Sequence, residues 1–237
     1  IVRLSYFSAL DWANANYFLN MPEDAQFDFF NKIDIYDKFG KYYQRDVIIS
    51  SRSTDEEIKA FVEKHPVHFA KQAINYGGFG LEKVNYENFS SFDDYKAYLE
   101  EHKYEVLEEL IKQHPDVNKL YPYSVNSLRV TTVLGLDGTV HFLPSILRMG
   151  GDMMEIDNVS SGGVYVQVDP TGRISSHGFK EDGEFNLDGG HLVEAHITTG
   201  TVFLDYQLPH TKEAFELVEK MAKEVPEYRY LGWDIAL

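Results

Sequence analysis

The sequence predicts an α+β fold, on three observations. Apolar residues alternate through Val130, Val133, Val140, Phe142, Ile146, Val164, Val166 and Val168, the spacing of successive strands. Ser53-Thr54-Asp55-Glu56-Glu57 joins a hydroxyl N-cap to carboxylates in a first helical turn, and so starts a helix that should run to about Lys64. Between two shorter apolar runs lies the glycine-rich stretch Ile74-Asn75-Tyr76-Gly77-Gly78-Phe79-Gly80, a hairpin.

In chain order, residues 8 to 39 place Trp12, Tyr17, Phe18, Phe27, Phe29, Phe30, Ile33 and Tyr36 at mixed helical spacing, which predicts two helices broken near Met21-Pro22. Arg45 to Ser50 is a short strand. Val67 to Ala73 and Leu81 to Val84 are the strands of the glycine hairpin, and a lysine, Lys71, stands on the first. Phe92 to Leu99 is a helix and Tyr104 to Leu107 an edge strand that Glu108 and Glu109 leave. Gln113-His114-Pro115 stops that segment and reads as a hinge between two lobes. Beyond the central strands, Asp169-Pro170-Thr171-Gly172 and Glu181-Asp182-Gly183-Glu184 are turns. Pro209-His210-Thr211 opens a helix carrying Phe215, Leu217, Val218 and Met221, and Tyr228 to Leu237 is a closing strand.

The polar residues at the strand ends carry the chemistry. A sheet interior does not call for Asn126 and Arg129 on one strand, Arg148 on the next, and Asn158 with Gly162-Gly163 before a third. Guanidinium forks match phosphate or carboxylate oxygens, and paired glycines let backbone amides approach them, so this set suits an anionic ligand. Lys71 followed by a glycine hairpin suits phosphate for the same reason, although its spacing fits neither a Walker loop nor a dinucleotide turn. Asp234, inside an apolar strand, is expensive to bury unless a cation or donor meets it, and so is a candidate magnesium ligand. A histidine metal site would have to use His65 and His68, or His191 and His196.

Composition excludes several classes. The chain has 237 residues, 43% of them hydrophobic, which allows one large domain or two lobes with a substantial core. No apolar run approaches the roughly 18 residues that span a bilayer, so membrane insertion is not expected. With no cysteine there is no disulfide and no thiolate chemistry, which is compatible with a cytoplasmic protein. A net charge of −16 with no Lys/Arg cluster argues against a nucleic-acid partner. Nothing specifies an oligomeric state.

The order lysine strand, glycine hairpin, Glu-Glu, Asn-x-x-Arg strand, arginine strand, Asp-Asn-x-x-x-Gly-Gly and Gly-Trp-Asp strand resembles the ATP-grasp superfamily. The segments Gln113-His114-Pro115, Ser124 to Arg129, Leu147 to Gly150, Asp157 to Gly163 and Leu231 to Ala236 look like the sugar-transfer-associated ATP-grasp family, related to α-L-glutamate ligases. The resemblance implies an N-terminal helical segment over 1–45, a small lobe over 46–118 bearing the flap, and a large lobe over 119–237, the two lobes clamping ATP and Mg2+. It implies a ligase that forms an acyl phosphate from a small-molecule carboxylate and passes it to an amine or other nucleophile, in exopolysaccharide or cell-envelope biosynthesis. By position, Lys71 and Lys38 would contact phosphates beneath a flap of Gly77, Gly78 and Gly80. Glu108, Glu109 and Ile111 would lie along adenine and ribose. Arg129, Arg148 and Asn158 would act on the transferring phosphoryl, Asn126, Ser160, Gly162 and Gly163 would line the acceptor, and Asp234 would bind magnesium.

Two departures stand out. Gln72 replaces the proline that usually follows the lysine. The family continues past Gly-Trp-Asp into a strand bearing Glu-x-Asn, its remaining metal ligands, whereas this sequence stops at Leu237. Either the remainder lies outside this sequence, or this form binds ATP weakly and does not turn over. The second case would make it a non-catalytic nucleotide- or glycan-precursor-binding module. A phosphotransferase would need a base, for which Asp157 is the candidate.

Overall fold

The computed structural model describes residue 29 and residues 31–74, 80–151, 162–181 and 189–237. These fall into two compact units, one within Gln26–Lys112 and one within Gln113–Leu237. Trp12 and the first expected helix lie outside the described residues, as do Gly77, Gly78, Asp157, Asn158 and Ser160.

In the first unit, α1 (Lys32–Phe39) starts at Asn31, whose side chain accepts from the Ile33 amide at 3.0 Å. Strand β1 (Val47–Ile49) leads to α2 (Asp55–Lys64), and Thr54 and Glu57 close a complete capping box, as their spacing predicts. Strands β2 (Val67–Lys71) and β3 (Leu81–Asn85) form the expected hairpin, followed by α3 (Phe92–His102) and β4 (Val106–Glu109). The order β1-β4-β2-β3 is antiparallel throughout. Alternate residues therefore serve two cores. Ala70, Val84 and Leu107 face Ile58, Phe61, Val62, Tyr95 and Leu99, whereas Ile49 and Val106 pack with Ile33 and Ala73.

Two sequence expectations change here. Glu108 and Glu109 lie within β4 and do not leave it, and β4 is an inner strand between β1 and β2, not an edge. Gln72, in place of proline, closes the base of the hairpin. Its amide donates to the Gly80 carbonyl at 2.8 Å, a bond proline could not make, and its side chain donates to the His102 carbonyl at 2.9 Å.

The second unit opens with the short helix α4 (Pro115–Leu120), capped by His114. Then come β5 (Ser127–Leu134), β6 (Val140–Phe142), β7 (Ser145–Met149), β8 (Val164–Val168), β9 (Gly178–Glu181) and β10 (Gly190–Val193). Helix α5 (Thr211–Lys223) and the last strand, β11 (Tyr230–Ala236), complete it. The sheet runs β10-β9-β8-β7-β5-β11, with β6 added to β5. One face, including Leu128, Val130, Leu147, Val164 and Val166, is fully buried, and α5 packs on β5, β6 and β11 through Ala214, Val218 and Met221. Trp233 joins this core and donates its indole N–H to Thr132 Oγ1 at 2.9 Å. Gly172, at φ +86°, lies where a Cβ would come 2.4 Å from Thr211 Oγ1, so the turn and the helix start touch only because the residue is glycine.

The second unit begins at Gln113. Helix α4 is tied into the second unit: the His114 amide donates to the Leu237 carbonyl at 3.0 Å, and the Asn126 amide group donates to the carbonyls of Val117 and Tyr121 at 3.1 and 2.9 Å. Among the described residues no helix is long and apolar enough to cross a membrane.

Candidate functional site

Each unit carries a cluster in which two cationic side chains meet on one carboxylate. In the first unit the sheet register creates it. Phe69 pairs with Glu108 and Lys71 with Val106, so Lys71 and Glu108 emerge on one face, one step apart diagonally. Lys71 Nζ donates to Glu108 Oε2 at 2.8 Å, and Arg45, just before β1, reaches the same oxygen from Nη2 at 2.8 Å and from Nε at 3.2 Å. The Arg45 guanidinium also lies over the Tyr43 ring, 4.4 Å from its centroid.

These groups border a recess of about 180 Å³, with Lys32 and Tyr36 of α1 on its far wall. Burial pushes the Glu108 carboxyl up, but the Lys71 and Arg45 charges and their hydrogen bonds outweigh it and bring the group below its ordinary value. Burial and the neighbouring Lys71 charge pull the Lys32 ammonium down, with Glu108 opposing. Burial and Glu108 both push the Tyr43 phenol up. Three cations around one carboxylate, walled by aromatic and aliphatic side chains, fit a polyphosphate.

The sequence places Lys38 on the phosphate side, yet Lys32 lines the recess; the two lie well apart around α1 at 100° per residue. The sequence does not single out Lys32 and Arg45, because neither belongs to a motif and each arrives through packing on the sheet. Glu109 points to the opposite face from Glu108 and accepts from the Asp46 amide at 3.1 Å. There Asp46, His65 and Glu109 bring ligand atoms within 4.8 Å of one another. The grouping is already closed, since Asp46 Oδ2 accepts from Lys64 Nζ at 2.5 Å and meets His65 Nε2 at 2.8 Å. Ile111 is half-buried beyond β4.

In the second unit Asp234 pairs with Arg129 across β11 and β5, and Ser127 with Arg148 across β5 and β7, so all four share a face. Arg129 grips Asp234 with both arms, Nε to Oδ1 at 2.5 Å and Nη2 to Oδ2 at 2.8 Å. Arg148 Nη2 stands 3.1 Å from the same Oδ1, while Arg148 Nε and Nη2 donate to Ser127 Oγ at 3.1 and 2.7 Å. Gly232 makes the room: a Cβ there would sit 3.3 Å from both Cδ and Nη1 of Arg129. Two guanidiniums on one half-exposed carboxylate leave a positive face.

That arrangement bears directly on magnesium. The ion asks for near-octahedral oxygen coordination, shared between carboxylates and phosphates. Both Asp234 oxygens accept from guanidinium groups, and among the described residues Asp234 belongs to no group of potential metal ligands. The residues described here do not fit the ion.

Asn126, expected along the acceptor, is fully buried and serves α4: its amide N–H groups go to the carbonyls of Val117 and Tyr121, and its Oδ1 has no hydrogen-bond partner. Gly162 and Gly163 lead into β8, Gly162 at φ +91°. Neither histidine pair forms a metal site. His68 is bonded at both nitrogens, to the His65 carbonyl at 2.9 Å and to Tyr95 Oη at 2.8 Å. His196 likewise meets the Gly150 carbonyl at 2.9 Å and the Thr198 amide at 3.2 Å.

A family model described as sugar-transfer associated ATP-grasp matches residues 96–237. No curated protein matches the chain. Among solved structures it is similar to carboxyaminoimidazole ribonucleotide synthase from Aspergillus clavatus complexed with ATP, at 16% identity over 88% of this chain and 41% of that one, TM-score 0.45. It is also similar to N5-carboxyaminoimidazole synthetase from Staphylococcus aureus complexed with ADP, at 12% identity over 82% of this chain and 37% of that one, TM-score 0.44. The chain thus spans less than half the length of either.

Proposed function

The chain belongs to the sugar-transfer associated ATP-grasp family, and on that footing we propose that it is an ATP-dependent carboxylate ligase of the carboxylate-amine type. The observation that carries the reading is Arg129 and Arg148 on adjacent strands, converging on a single pair of carboxylate oxygens. Two planar forks at that spacing are built for an oxyanion.

ATP supplies the γ-phosphoryl, which passes to a carboxylate oxygen to give an acyl phosphate and ADP; an amine then attacks the acyl carbon and inorganic phosphate leaves as the amide forms. In this reading Lys71, Arg45 and Lys32 neutralise the polyphosphate. Lys71 and Arg45 exchange Glu108 for phosphate oxygens. Arg129 and Arg148 hold the charge that develops on the transferring phosphoryl, with Ser127 keeping the Arg148 fork in place. Gly162 and Gly163 line the acceptor side. The words sugar-transfer associated in the family description favour a glycan product, and we place the reaction in exopolysaccharide or cell-envelope biosynthesis.

The engagement of both Asp234 oxygens by arginine favours a second reading, a non-catalytic nucleotide-binding module. Calorimetric titration of ATP, with Mg2+ and with EDTA, followed by a screen of carboxylates for ADP release, separates the two. Carboxylate-dependent ADP release supports the ligase. Binding without release supports the module, and an absence of binding that Lys71→Ala leaves unchanged sinks both.

A further inference from the structure

The grip of two arginines on Asp234 points to a role for that carboxylate other than holding metal. We propose that Asp234 is an internal stand-in for the ligand's oxyanion: it fills the forks of Arg129 and Arg148, sets their geometry, and must be displaced when a polyphosphate binds. The proposal rests on the reading of that arginine pair as the phosphoryl site.

Three observations support it. Arg129 meets Asp234 with Nε and Nη2 on different oxygens, at 2.5 and 2.8 Å, the two-armed geometry a guanidinium offers a carboxylate or a phosphate. Arg148 adds Nη2 to one of those oxygens at 3.1 Å but is separately held by Ser127 Oγ at 2.7 Å, so its fork keeps its place when the carboxylate leaves. Asp234 lies in β11 with 43% of its side chain exposed, and can therefore turn towards water without opening the core. Its neighbour Trp233 is the residue that anchors the strand.

The consequence is opposite to that of a metal ligand. Losing a metal ligand weakens magnesium-dependent binding. Losing a competitor tightens metal-free binding, because the added anion no longer displaces an ion pair.

The test is calorimetric titration of sodium tripolyphosphate in EDTA into the whole chain and into Asp234→Asn, Arg148→Ala and the double variant. Asp234→Ser repeats the measurement with no side-chain amide oxygen left for the guanidiniums. Glu227→Gln, which removes an exposed charge just before β11, controls for net charge. Half-exposed two-armed ion pairs are worth little, so the expected gain is about fivefold for both Asp234 variants, less than twofold for the control, and none in the double variant relative to Arg148→Ala. If Arg148→Ala weakens binding but the Asp234 variants bind no tighter than the parent, the phosphoryl-site reading stands and the competition is refuted. If Arg148→Ala binds as the parent does, or nothing binds, the site reading falls and the competition with it.

Discussion

Replacing Glu108 with glutamine tests the electrostatic account of the first unit. The carboxylate is 6% exposed and accepts from Lys71 Nζ and Arg45 Nη2, each at 2.8 Å. A charge pair at this range is worth about 4 kcal/mol gross at an effective dielectric of about 20, and desolvation of the carboxylate offsets several kcal/mol of the two pairs together. Removing one member of a buried pair costs about 3–5 kcal/mol because the partners stay buried and uncompensated. Lys71 and Arg45 keep 20% and 23% of their side chains exposed, and water takes up part of that loss. The expected cost is about 3 kcal/mol, or roughly two decades in a local opening constant.

Amide hydrogen exchange reads this in place, since β1, β2 and β4 should lose about a hundredfold in protection while β5 and β7 of the other unit serve as an internal standard. Acid provides the sign check. The Glu108 carboxyl titrates below its ordinary value in the folded state, so its contribution is complete above pH 4.5 and is lost as pH falls through the lowered value. Parent and Glu108→Gln should therefore converge in acid. A loss of protection under tenfold at neutral pH, or a gap that widens in acid, would refute the reasoning.

Four further outcomes are expected. Arg148→Ala should abolish carboxylate-dependent ADP release while leaving ATP affinity within about tenfold, because in the proposed reaction that arginine acts on the transferring phosphoryl and not on the base. Burial pulls the His68 imidazole below its ordinary value. The unfolded chain therefore takes up the proton first, and the first unit should lose stability as pH falls below about 6.5, a slope in urea unfolding that His68→Gln removes. Gly172→Ala combines a positive φ with a Cβ 2.4 Å from Thr211 Oγ1, and should lower stability by more than about 2 kcal/mol in denaturant titrations. Thr54→Ala opens the capping box and should cost about 1 kcal/mol, seen as faster exchange of the first-turn amides of α2.

Local rules made much of the fold legible. The alternation through Val130 to Val168 marks four real strands, and the Thr54 to Glu57 spacing marks a real cap, because both patterns are settled within a few residues. The errors came where distant segments meet. The sequence places Glu108 beyond an edge strand, but β4 gains its neighbours from β1 and β2, both far away in sequence. Lys32 and Arg45 carry no motif, and only the packing of α1 and the start of β1 on the sheet brings them to Lys71. Asn126 reads as a ligand residue because a sheet interior does not call for an asparagine beside Arg129 at a strand end. In the fold it is buried and spends its donors on the carbonyls that end α4.

Asp234 shows how far such reasoning reaches and what it lacks. Burial cost alone says that a carboxylate in an apolar strand needs a cation, and it found one. That the cation is arginine follows from a register between residues 105 positions apart, which no local pattern encodes. The same device recurs in the first unit, where Glu108 stands between Lys71 and Arg45. In both proposed polyanion sites an internal carboxylate separates the cations and offsets their mutual repulsion. Burial then decides what each carboxylate governs. Glu108 is nearly inaccessible, so its removal should show chiefly in stability, whereas Asp234 is half-exposed and its removal should show chiefly in anion affinity. The two glutamine and asparagine variants, measured side by side by exchange and by tripolyphosphate titration, should differ in that direction; equal effects on both readouts would mean that burial does not divide the roles.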